Sequence, residues 1–113
     1  MANRQKGEMS FDADGKTYVL CFSSNALCEL EDAIGVGVVR LGELLSNVET
    51  LKLKDVRAVL WAGLTDHQKG IDVKSVGRII DTIGIARAVE IISSGMSLAF
   101  PSEEADSPRE PGQ

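Results

Sequence analysis

Cys21, Cys28 and His67 are the side chains of this chain best suited to metal ligation, redox exchange or nucleophilic attack. The two cysteines stand seven residues apart with no others, whereas a structural zinc site needs four ligands held tetrahedrally. In a reducing compartment they stay thiols, and Cys21 reads as a small buried hydrophobe at a strand end. His67 lies in the polar run Asp66-His67-Gln68-Lys69-Gly70, with neither a cysteine beside it nor a serine nucleophile motif. A small ligand-binding or enzymatic site built on Asp66 and His67 is the catalytic alternative that this leaves. Glu29, Glu31 and Asp32 project in three directions from a helix, which suits a solvated face better than acid-base work. Asp12, Asp14 and Gly15 lack calcium-loop spacing and suit a turn, and Gly35-Val36-Gly37 follows a helix where a phosphate loop follows a strand. The reading is of a chain that is not an enzyme and has no cofactor or metal.

What remains is surface. Trp61, the only tryptophan, shares a helix face with Ala58 and Ala62, whose small side chains would let another backbone approach. A Trp at this position more often fills a core, here between the central helix and the hairpin or the first helix. Ile91 and Leu98, seven residues apart with Ser94 between them, fall on the polar flank of their helix and are either a second candidate partner ridge or part of a core wider than one stripe. Ala58, Trp61, Ala62, Ile91 and Leu98 are therefore the candidate partner-binding residues.

Composition narrows the partner. The chain has 113 residues, 43% hydrophobic and 26% charged, enough for a single core. Its net charge of -5 opposes approach to nucleic acid, and its few aromatic residues are scattered rather than grouped for base stacking. No apolar run reaches the roughly 20 residues of a membrane span, and the opening Met1 to Met9 lacks a secretory apolar stretch, so a cytoplasmic location is expected.

The elements that would carry these residues follow from periodicity. Glu8 to Phe11 and Lys16 to Phe22 flank Asp12-Ala13-Asp14-Gly15 as a hairpin, with Met9, Phe11, Tyr18, Leu20 and Phe22 on one face. Ser23 or Ser24 caps a helix that runs to Ile34 and ends at Gly35. A short helix is expected over Val38 to Leu45, with Leu41, Leu44 and Leu45 inward, then a loop over Ser46 to Thr50. Leu53 to Leu64 is the most apolar and should be central, with Leu53, Val56, Val59, Leu60, Gly63 and Leu64 on one side. Asp72 caps a helix with Val73, Val76, Ile79, Ile80 and Ile83 facing in. Gly84 separates it from Ile85 to Phe100, whose core stripe is Ile85, Ala88, Val89, Ile92, Met96 and Ala99. The expected fold is α+β and mostly helical: an N-terminal β-hairpin packed on a bundle of four to five short helices. Residues 1–7 form a flexible leader, 8–100 a single globular domain, and 101–113, with three prolines and Glu103, Glu104, Asp106 and Glu110, a disordered acidic tail.

Gly7-Glu8-Met9-Ser10-Phe11, Gly15 to Leu20, Ala26-Leu27-Cys28-Glu29-Leu30-Glu31, Val56 to Leu64 and Ile79 to Gly84 together resemble the tail assembly chaperones of gene transfer agents and related long-tailed phages. Older descriptions of that family use the name tail tube protein. The resemblance spans roughly Gly7 to Phe100, with Leu60-Trp61-Ala62-Gly63-Leu64 among its more specific pieces. It implies a non-enzymatic protein that binds the tape-measure protein and tail tube subunits during tail assembly, with a structural tail tube component as the alternative. It offers no catalytic residues. Because a surface that binds an apolar-striped helix hides itself when alone, a homo-oligomer is also expected.

Overall fold

Glu8–Ala13 (β1) and Lys16–Cys21 (β2) pair antiparallel, with Met9 opposite Leu20 and Phe11 opposite Tyr18. The turn narrows from the expected four residues to Asp14 and Gly15, whose φ values are 52° and 78°. Two successive left-handed residues match the twist of the strands they join, and Asp-Gly adopts them readily. Phe11, Ala13 and Leu20 bury one face of the hairpin. The Phe11 and Tyr18 rings stack along it, their centroids 5.6 Å apart.

The computed structural model describes residues 7–35, 37, 39–40, 42–43 and 52–99. The first helix, Ser24–Ile34 (α1), starts where the Ser23 hydroxyl accepts the Ala26 N–H at 3.1 Å. It ends where Gly35, at φ 74°, donates its N–H to the Glu31 carbonyl. Leu53–Leu64 is α2, Val73–Ile83 is α3 and Ile85–Ala99 is α4. The Asp72 carboxylate accepts the Ser75 N–H at 2.8 Å and so caps α3. Hydrogen bonds from the Ser75 side chain and backbone hold that carboxyl below its ordinary range. Among the described residues a two-stranded hairpin is thus packed against these four helices.

Within the expected short helix over Val38 to Leu45, Val39, Arg40, Gly42 and Glu43 are helical, and Arg40 pairs with Glu43 at 2.9 Å on the surface. Leu41, Leu44 and Leu45 lie outside the described residues, as do residues 1–6 of the expected leader, the Ser46 to Thr50 loop, Phe100 and the 101–113 segment.

Helix α2 is central, touching α1, α3, α4 and β2. Its Val56, Val59, Leu60 and Leu64 interlock with Leu20, Leu30, Val76, Ile91 and Ile92, each at most 2% exposed. Removing a large aliphatic side chain of this kind from water contributes about 1.5–3 kcal/mol, so every element is tied to one core. Two expected core positions are on the surface instead: Leu53 is 63% and Ile85 48% exposed. Each is the first residue of its helix, ahead of the turn that meets a neighbour, so most of its side chain stays uncovered.

Candidate functional site

The residues singled out for chemistry gather only in part. His67 Nε2 lies 3.1 Å from Glu8 Oε2, at the open end of the hairpin where Glu8 faces Cys21 across the ladder. Burial pushes the Cys21 thiol up, and the nearby charges of Asp66 and Glu8 push it further in the same direction. This is the reverse of what activates a sulfur nucleophile, since carboxylates disfavour the thiolate that attacks. Cys28 is exposed on α1 and is not bridged to Cys21. Glu29, Glu31 and Asp32 are all exposed on the same helix. Among the described residues no three His, Cys, Asp or Glu side chains gather as metal ligands. No helix among them is long and apolar enough to cross a membrane.

The five candidate contact residues are spread over two environments. Trp61 is half-buried, and its indole N–H donates to the Ile71 carbonyl at 3.0 Å, which fastens the loop after α2 to the helix itself. Ala58, three residues earlier on the same helix, is also half-buried, but Ala62 has no exposure. On α4, Ile91 is fully buried and Leu98 half-buried. Ile91, Gly95 and Leu98 recur at helical spacing along the side of α4 that meets the hairpin. A Cβ at Gly95 would lie 2.6 Å from Leu20, and one at Gly7 would touch the Leu98 carbonyl at 3.8 Å. Ala88, Ile92, Gly95 and Ile91 fall within about 100° of arc at 100° per residue, so α4 buries one contiguous face, turned toward Ile91 and Leu98 relative to the expected stripe.

Two surface features escaped the sequence reading. Large apolar side chains stand exposed at Leu53, Ile85 and Val39. A groove between α2 and α3 is lined by Leu53, Lys54, Arg57, Lys74, Gly77, Arg78, Ile80 and Asp81. Its cations come from two helices separated by a loop, and only the packing of α2 on α3 places them together; helical spacing within each segment carried no such signal.

Gln68, in the loop after α2, was read as generic polar loop and is instead a clamp. Its side-chain amide donates to the Val19 carbonyl at 2.9 Å and to the Leu64 carbonyl at 2.6 Å, while its oxygen accepts the Val19 N–H at 2.9 Å. Val19 faces Ser10 in the ladder, yet both of its main-chain groups are taken by Gln68, which seals that stretch of the β2 edge.

The arrangement among the described residues is that of a small hairpin packed on helices. The chain belongs to the phage tail assembly chaperone family described as "Phage tail tube protein, GTA-gp10", whose model matches residues 6–100. Neither curated proteins nor solved structures gave a match.

Proposed function

We propose that this protein is a non-enzymatic tail assembly chaperone that binds the tape-measure protein and tail tube subunits in the cytoplasm while a phage-like tail is built. The observation that carries the reading is the family match over residues 6–100. The exposed Leu53 and Ile85 at the starts of two helices support it, because covering such side chains with a client helix is favourable by about 25 cal/mol per Å² of apolar area before ordering costs. The exposed parts of Ala58 and Trp61 belong to the same contact surface in this reading. Ala62, Ile91 and Leu98 act from behind it by holding α2 and α4 in place.

A tail tube subunit is the second reading, favoured by the words of the family description. Lining a channel calls for extensive sheet, and the sheet among the described residues has two strands. Co-expression with a tape-measure protein of a phage-like tail tests the first reading. A soluble complex of the two is expected. Unchanged tape-measure solubility with nothing co-purifying would remove it, and many copies of this chain in purified particles would establish the second.

A further inference from the structure

The groove between α2 and α3 encloses about 580 Å³, and its walls set Lys54, Arg57, Lys74 and Arg78 against the single carboxylate of Asp81. A third of the chain's 12 lysines and arginines thus converge on one depression of a protein whose net charge is -5. None of the four cations has an ion-pair partner among the described residues. The Nε–H of Arg57 is buried and has no acceptor among the described residues. Crowded like charges and a buried donor without a partner are both relieved by the same thing, a carboxylate entering the groove.

Residues 101–113 of the chain carry Glu103, Glu104, Asp106 and Glu110 against one cation, Arg109. Four acids and one base in this segment face four bases and one acid in the groove. We propose that the groove between α2 and α3 is a docking site for an acidic protein segment, and that its occupant is this chain's own residues 101–113. The connection is long enough. Helix α4 ends at Ala99, close to the Gly7 end of the hairpin, while Arg78 shares a second depression with Ala13, Asp14 and Lys16 at the turn end. That separation is about 20 Å of β-strand, and the fourteen residues from Phe100 onward reach about 46 Å when extended. The segment has no aliphatic side chain larger than Ala105, so charge rather than apolar burial holds it, and the contact is sensitive to salt.

The test uses the full chain, labelled with ¹⁵N, and does not depend on any client. Replacing the four acids together (Glu103→Gln, Glu104→Gln, Asp106→Asn, Glu110→Gln) should shift the backbone amides of Lys54, Lys74, Gly77 and Arg78 and leave those of α1 in place. Conversely, Lys74→Glu with Arg78→Glu, both at exposed positions, should shift the amides of residues 103–110. Raising the salt to about 0.5 M, where charges are screened within about 4 Å, should reproduce the first set of shifts in the unaltered chain. Groove amides that ignore the loss of the four acids overturn the proposal. So does a response that fades on dilution, which would assign the groove to the segment of a second copy.

Discussion

Gly63 of α2 and Gly95 of α4 close on the same side chain from opposite sides. A Cβ at Gly95 would lie 2.6 Å from one methyl of Leu20, and a Cβ at Gly63 would collide with the other. The two edges of the Phe22 ring are approached in the same way, each within 3.0 Å. The hairpin's apolar face is therefore seated between two helices at a distance that only glycine permits.

Gly63→Ala and Gly95→Ala should each destabilise the fold by about 1–3 kcal/mol, because Leu20 and Phe22 are held on both flanks and cannot step aside. Alanine in a helix is otherwise favoured over glycine by up to about 1 kcal/mol. Gly77→Ala is the matched control: its Cβ would meet the Arg57 side chain at an ordinary 3.5 Å, so it should be neutral or stabilising. Urea unfolding midpoints separate the cases, and a rise for Gly63→Ala comparable to that for Gly77→Ala would contradict the close approach.

Gln68→Ala should cost about 1–3 kcal/mol, since it leaves both main-chain groups of Val19 and the Leu64 carbonyl without their side-chain partner. Hydrogen exchange locates the damage: the Val19 amide should lose protection selectively, while those of α1 keep theirs. Equal loss throughout would mean that Gln68 acts on global stability alone.

A thiol reagent at pH 8 should modify Cys28 promptly and Cys21 only as the fold opens, because Cys28 is exposed and Cys21 is 8% exposed with its thiol pushed up. The same shift ties stability to alkaline pH. A folded-state value above the ordinary 9.0 means that the protonated thiol favours the fold fully below that pH. The contribution is then lost as the pH rises toward the folded-state value. Cys21→Ala should flatten this alkaline decline in the unfolding midpoint, and an unchanged slope would refute the assignment.

Local punctuation was legible in the residues because each punctuating residue acts on its own backbone. Ser23 and Asp72 cap, Gly35 takes the left-handed conformation, Asp14-Gly15 turns, and all four stand where their chemistry places them. Ile91 stands open in the sequence between a partner ridge and a wider core, and the wider core is what the helix has: its buried face extends past Ala88 and Ile92 to Ile91, with α2 and the hairpin beside it. Leu53 and Ile85 were misplaced because a helix's first residue projects beyond its neighbours. Gln68 lies 49 residues from Val19, and no local property of a glutamine announces which distant strand it serves. The family resemblance was legible in Leu60-Trp61-Ala62-Gly63-Leu64, whereas the basic groove exists only once two separate helices lie side by side.

The amide of Gln68 also limits how copies of this protein could join. A two-stranded ribbon ordinarily has two rims, and strand addition at both builds an endless stack. With both main-chain groups of Val19 taken from within, a strand added at this rim would lack the central bonds of its ladder, so recruitment is biased toward the rim of β1. Fibre formation by edge recruitment, which needs both rims, is thereby disfavoured.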